Sequence, residues 1–347
     1  MKLGIVGLPQ SGKTTIFNAL THRSGEPAGG GAKVTAVQGV VTVPDSRVDW
    51  LSQHHQPKKT TFAQVTYIDL QAMPGALENK QEYMAQLIIH MRPVDALLMV
   101  VRNFPDAAGN APDPARDFRD LQDEFLLADL ATIEKRLERL VQELRKGKKD
   151  LGHEKELLET CAGVLNAEKP LRTSPELATA PELRGFTFLS AKPLLVVVNN
   201  SDEDEALPEA AFDGVETLMV RGKLEMEMAQ LADDEAAAFR EDFGIAESAM
   251  DRIIRRSFAL LDLAAFFTVG EDEVKAWTIR NRLPAVEAAG AVHSDIQKGF
   301  IRAEVVAYED LRRAGDHAAA RKLGQVRLEG KTYPVQDGDV INFRFNV

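Results

Sequence analysis

One run near the start of the chain restricts the possible folds more than any other: Gly7-Leu8-Pro9-Gln10-Ser11-Gly12-Lys13-Thr14. It fits G-x-x-x-x-G-K-[ST], the pattern of a phosphate-binding loop. Lys2-Leu3-Gly4-Ile5-Val6 before it reads as a short buried strand, and Thr15-Ile16-Phe17-Asn18-Ala19-Leu20 after it as the first turns of a helix. A strand, a glycine loop and a helix start gather several backbone N–H groups around a polyphosphate. Gly7 and Gly12 permit backbone angles and close approaches that a Cβ blocks. In such a loop Lys13 reaches the β- and γ-phosphates, and the Thr14 hydroxyl holds a magnesium ion. Pro9, Gln10, Ser11, Gly12 and Thr15 are the remaining nucleotide-binding candidates of the loop.

With 347 residues the chain is long enough for two or three domains. A net charge of −11 argues against wholesale wrapping of nucleic acid, and no DNA partner is expected. A local basic face remains compatible with RNA. The single cysteine, Cys161, excludes an intramolecular disulfide framework and points to a reducing compartment. The phosphate loop begins too early for a signal sequence. No apolar run approaches the ~20 residues of a membrane span. The expectation is a cytoplasmic protein with no membrane partner.

Residues 22–35 are glycine-rich and fall where a first switch loop lies in phosphate-loop NTPases; Thr35 is the nearest metal-ligand candidate there. An ordinary strand-entry threonine is the equal alternative. Val37 to Val43 alternates like a strand and stops at Pro44-Asp45. Val65-Thr66-Tyr67-Ile68-Asp69 is a strand ending in an acid placed to hold magnesium through water. The chain continues Asp69-Leu70-Gln71-Ala72-Met73, so Ala72 and Met73 stand where switch GTPases have Gly and a water-orienting Gln. A thioether cannot orient an attacking water. Residues 96–101, 194–198 and 214–220 read as further strands, and the alternation with helices predicts a parallel sheet covered on both faces.

Between the fourth and fifth strands lies an insertion, residues 114–190. Leu121, Phe125, Leu130, Ile133, Leu137, Leu140 and Leu144 recur at spacings of three and four. A second apolar stripe, Leu151, Leu158, Cys161 and Leu165, follows the break at 146–149. These predict an antiparallel helical hairpin, with Cys161 a packing residue. Near the C-terminus, Phe266-Phe267-Thr268-Val269 reads as a strand. The Asp337-Gly338 turn precedes strict alternation that places Ile341, Phe343, Phe345 and Val347 on one face.

These residues together resemble the YchF/Obg-like ATPases. The resemblance rests on the loop with Leu8-Pro9, the hairpin, and Lys298-Gly299-Phe300-Ile301-Arg302-Ala303-Glu304-Val305 followed by Ala307-Tyr308-Glu309-Asp310. Leu328-Glu329-Gly330-Lys331 leading into Val335-Gln336-Asp337-Gly338-Asp339-Val340 adds to it. The resemblance covers essentially the whole chain. It implies an α/β phosphate-loop domain over 1–265, interrupted by a coiled-coil insertion, and a TGS-like β-grasp domain over 266–347. It also implies binding and hydrolysis of ATP or GTP and association with ribosomes or ribosomal RNA. Three departures stand out. The family's Pro-Asn is Pro9-Gln10, the first switch does not match in register, and the family's Asp-x-x-Gly ends in Ala72.

Guanine is ordinarily read by Asn-Lys-x-Asp, and the family carries Asn-x-x-Glu. Here Asn199-Asn200-Ser201-Asp202 occupies that place, with Arg221-Gly222-Lys223 as the last base-site element, so the base stays open. The leading expectation is a magnesium-dependent ATP/GTP hydrolase with slow intrinsic turnover, acting as a translation-linked or stress-linked regulator. Lys13 is its catalytic residue, and Thr14, Asp69 and Thr35 hold the metal. The alternative is a nucleotide-gated ribosome- or RNA-binding module with negligible hydrolysis. A phosphate-loop kinase is disfavoured by the TGS-like end. Arg136, Arg139, Arg145, Lys146, Lys148 and Lys149 at the hairpin tip, with Lys298, Arg302 and Arg344, are the candidate ribosome contacts. The rival assignment for the hairpin charges is pairing with Glu134, Glu138 and Glu143.

Overall fold

A computed structural model describes residues 1–23, 34–72, 80–146, 151–209, 212–231, 235–236, 238–239 and 247–346. Met73, Lys148, Lys149 and Val347 therefore lie outside the described residues, as do the glycines of the first switch region. The described chain forms two compact units. One comprises 1–39 with 66–253, the other 40–65 with 254–347. The sequence reading put a single boundary at 265/266; the second unit instead begins earlier and also takes up an internal stretch.

In the first unit the elements run β1 (Lys2–Val6), α1 (Lys13–Thr21) and β2 (Val34–Thr42). The internal stretch follows, with α2 (Ser46–His55) and β3 (Lys59–Thr61). The chain then returns through β4 (Gln64–Ala72), α3 (Lys80–Met91) and β5 (Ala96–Asn103). The hairpin helices α4 (Pro114–Arg145) and α5 (Gly152–Asn166) precede β6 (Leu194–Asn200) and β7 (Thr217–Val220). The sheet order is β2-β4-β1-β5-β6-β7, and every pairing from β4 to β7 is parallel. β5 and β6 are nearly all aliphatic and buried along their lengths, as expected of strands covered on both faces. β7 starts later than expected, because Asp213 and Gly214 take left-handed angles and turn the chain first. The chain leaves β1 toward α1 and returns as β4 on one side and β5 on the other. That makes the carboxyl end of β1 a switch point, where parallel sheets place their ligands.

The hairpin forms as the spacing predicts. Leu126, Ile133 and Leu140, seven residues apart, pack with Leu158, Cys161 and Leu165. Burial pushes the Cys161 thiol up to about 11, which suits packing and not redox work. Leu144, counted with the apolar stripe, is exposed at the helix end.

The second unit adds β8 (Leu263–Val269), β9 (Glu273–Arg280), β10 (Phe300–Ala307), β11 (Arg327–Glu329) and β12 (Asp339–Phe345). With β3 they form a mixed sheet of order β11-β10-β12-β8-β9-β3. One face packs Phe266, Val305, Ile341 and Phe343 against Ala285, Ala288 and Ala289 of the helix Ala285–Val292. The alternation along β12 holds for Ile341 and Phe343 and fails at Phe345, which is 41% exposed at the strand end. Arg344 on the other face donates to buried Glu304 at 2.9 Å. No helix among the described residues is long and apolar enough to cross a membrane.

Candidate phosphate-binding site

The loop between β1 and α1 is shaped by two glycines with different reasons to be glycine. A Cβ on Gly7 would stand 2.7 Å from the Val100 carbonyl oxygen and against the Ser11 hydroxyl. Gly12 has φ +86°, and a Cβ there would collide with the Asn199 side chain. Gly12 caps α1 with no side-chain hydrogen bond, so the first N–H groups of the helix are free of intrahelical partners and available to an anion. Gln10 has φ +66°. Asn is several-fold enriched in that left-handed region, so this loop keeps the backbone that an Asn suits while carrying a Gln. Pro9 and Gln10 are exposed, Ser11 is buried, and Gly12, Lys13, Thr14 and Thr15 are half-buried.

Asp69 pairs with Ile5 in the β1–β4 register, which brings it beside the loop. It is completely buried. Its Oδ2 accepts a hydrogen bond from the Thr14 hydroxyl at 2.9 Å. Its Oδ1 has no hydrogen-bond partner, and neither has the buried Ser11 hydroxyl. Burial raises the Asp69 carboxyl above the usual carboxylate range, against the opposing charge of Lys13. Burial likewise lowers the Lys13 ammonium, against the charge of Asp69. The site therefore holds a lysine, a carboxylate oxygen and a hydroxyl short of partners. All three match a magnesium-bound phosphate: oxygen donors for a hard cation, a cation for the anion. Among the described residues no group of three His, Cys, Asp or Glu side chains could hold a metal by itself.

Thr35 lies on β2, exposed, with no hydrogen bond to Thr14 or Asp69 among the described residues. Asn199 and Asn200 end β6 and are both buried. Asn199 Nδ2 donates to the Ser11 carbonyl at 3.1 Å, and its Oδ1 accepts from the Gly222 N–H at 2.9 Å. It fastens the phosphate loop to the β7 end and is the base-region residue brought into contact with the loop. Asn200 is turned elsewhere. Its Nδ2 donates to the carbonyls of Asp204 and Ala206, and its Oδ1 accepts from Asn103 at 2.9 Å. The amide staples its own loop. Asp202 forms an ion pair with Lys223 at 3.3 Å.

The sequence reading missed Tyr83. It sits in the first turn of α3, 5% exposed, and its hydroxyl donates to the Gly7 carbonyl at 2.8 Å. The Lys13 ammonium lies 5.0 Å from the centre of its ring. Nothing in the local pattern separates this tyrosine from any other buried position of an amphipathic helix.

The chain is similar over its length to known proteins. Residues 2–137 match the MMR_HSR1 family, described as 50S ribosome-binding GTPase. Residues 263–346 match the YchF-GTPase_C family, described as a protein of unknown function. The ribosome-binding ATPase YchF of Bacillus subtilis (strain 168) is 39% identical over 361 residues, covering 99% of each chain. Obg-like ATPase 1 of Oryza sativa subsp. japonica is 35% identical over all of this chain and 92% of its own. The solved YchF GTPase of Schizosaccharomyces pombe superposes with a TM-score of 0.83 at 29% identity, covering 99% of this chain and 97% of the other.

Proposed function

The chain belongs to the YchF/Obg-like ATPase family, and from that premise we propose that it binds ATP or GTP with magnesium, hydrolyses it slowly, and works in association with the ribosome in the cytoplasm. The observation that carries the reading is the hydrogen bond from half-buried Thr14 to buried Asp69 beside the loop lysine, with one carboxylate oxygen unpartnered. Thr14 would hold the metal directly and Asp69 through its water. The ion, when bound, offsets charge on the β- and γ-phosphate oxygens. Lys13 and the N–H groups at the start of α1 stabilise charge on the transferred phosphoryl group. They do so in a low-dielectric setting where each contact is worth more than in water. Positioning and electrostatics of this kind make up most of phosphoryl-transfer catalysis.

The base region supports acceptance of adenine alongside guanine. Asn200 is committed to its loop and Asp202 pairs with Lys223 in an exposed contact, so the residues here depart from the usual guanine-reading set. For the ribosome, the hairpin end offers Arg139, Arg145 and Lys146, all exposed. Arg136 contributes less, because Glu154 takes it at 2.7 Å and Glu143 at 3.5 Å. In the second unit Lys298 and Arg302 are exposed, while Arg344 is engaged by Glu304. A basic tip on an acidic chain steers toward phosphate and limits unspecific adhesion. We place the protein as a translation-linked or stress-linked regulator, with the second unit as a TGS-type β-grasp module.

Ala72 in place of the switch glycine favours a second reading, a nucleotide-gated ribosome-binding module with negligible turnover. Phosphate release by the free protein and with ribosomes, each against Lys13→Ala, separates the two. Hydrolysis that is lost in the variant supports the enzyme. Ribosome binding that follows nucleotide state with no phosphate release supports the module.

A further inference from the structure

α3 is fastened to the phosphate loop at two points of one side chain. The Tyr83 hydroxyl bonds to the carbonyl of Gly7, the first loop residue, and the Tyr83 ring faces the ammonium of Lys13. The peptide between Gly7 and Leu8 is planar, so fixing its carbonyl also fixes the Leu8 N–H on the opposite edge. Gly7 cannot move away, since the Val100 backbone and Ser11 close in where its side chain would be. The ring itself is held in the core with Val6, Ile68, Met84 and Leu87. Tyr83 is therefore a rigid body touching the loop backbone and its lysine at once.

Lysine is a compact charge on a long flexible stem, and its placement costs rotamer freedom unless something holds it. A ring face supplies such a hold without competing for the ammonium's hydrogen bonds. We propose that Tyr83 is a positioning residue of the nucleotide site: its hydroxyl sets the loop backbone for phosphate, and its ring keeps Lys13 aimed at it. The assignment rests on the reading of this loop as a nucleoside triphosphate site. It also provides a link from nucleotide to α3 in a chain with Ala72 and Met73 where switch proteins have Gly and Gln.

Two substitutions separate the two contacts. Tyr83→Phe keeps the ring and removes the hydroxyl. Tyr83→Leu removes both and keeps an apolar core residue. Titration with a fluorescent ATP analogue and magnesium chloride, steady-state phosphate release and a thermal melt are measured on the full chain. Tyr83→Phe is expected to weaken analogue binding and raise KM about 5-fold with kcat within about 2-fold of the parent. Tyr83→Leu is expected to lower kcat a further ~10-fold, so that the phenyl ring rescues kcat relative to leucine. A Tyr83 that only fills the core would lower Tm in the Leu variant and leave Kd, KM and kcat unchanged below the melt. That result overturns the proposal. If the parent chain binds and turns over nucleotide while both variants match it, this inference alone fails. If the parent binds no nucleotide, the reading of the site fails and takes the inference with it.

Discussion

The Asn199 side chain is hydrogen-bonded to the backbone of Ser11, 188 residues earlier, at 3.1 Å. Its other amide atom accepts from Gly222 N–H, so one side chain ties the phosphate loop to the end of β7. Both glycines it faces leave no room for a Cβ. Asn199→Ala strands a buried carbonyl and a buried N–H, each costing about 1–3 kcal/mol. We expect the nucleotide Kd to rise at least ~10-fold and Tm to fall by several degrees. Calorimetric titration and a thermal melt check both; unchanged affinity would remove Asn199 from the site.

Lys13 is half-buried, and its partial burial carries a cost for the charged side chain. Its ammonium is lowered by burial, so the charged form is disfavoured where it sits. Lys13→Met should abolish hydrolysis and weaken nucleotide binding by ~100-fold or more. The nucleotide-free protein should melt about 2–4 °C higher, as expected when a poorly solvated charge gives way to an apolar group. A lower Tm in the variant would show that Asp69 and the Tyr83 ring more than offset the burial.

Asp69→Asn tests the metal assignment without emptying the pocket. The amide can still accept from Thr14, so the loop keeps its shape. Nucleotide binding in chelator should stay near that of the parent. The gain in affinity on adding magnesium should shrink about 10-fold. Equal magnesium dependence in the two proteins would mean that another group holds the ion.

Glu225 gives a pH test away from the loop. It is buried and accepts from the Ser248 hydroxyl at 3.0 Å and the Ala249 N–H at 2.8 Å, at the start of the helix Ala249–Leu260. Burial still raises its carboxyl above the usual range. A raised acid contributes stability that is fully present below its unfolded pKa of about 4.3 and is lost as pH rises through the folded value. Glu225→Gln should therefore gain stability relative to the parent as pH rises above about 4. Urea unfolding across that series, with the two curves running parallel, would contradict it.

The nucleotide unit was legible because its signals are local. The loop motif sits directly between a strand and a helix, and β5 and β6 are apolar up to their last two residues. The hairpin was legible for the same reason, its stripe repeating every seven residues. What escaped depends on tertiary placement. β3 is three polar residues, Lys59, Thr60 and Thr61, whose only reason to be a strand is β9. Asn199 and Asn200 are neighbours of one type with unlike tasks, fixed by which way each side chain leaves β6. Tyr83 reads as core until its hydroxyl is seen on Gly7. Phe345 continues the β12 alternation into a stretch where the sheet no longer covers it.

The pairing of β3 with β9 also sets a timetable for synthesis. Thr61 and Glu273 touch across 212 residues of chain. At roughly 5–20 residues per second, the segment carrying β3 waits about 10–40 s after it is made before its partner exists. By the end of that interval all strands of the first sheet have been made. The nascent chain thus carries an unpaired segment while the strands of the first sheet are free to pair, and the second sheet can be completed only once β12 has been made.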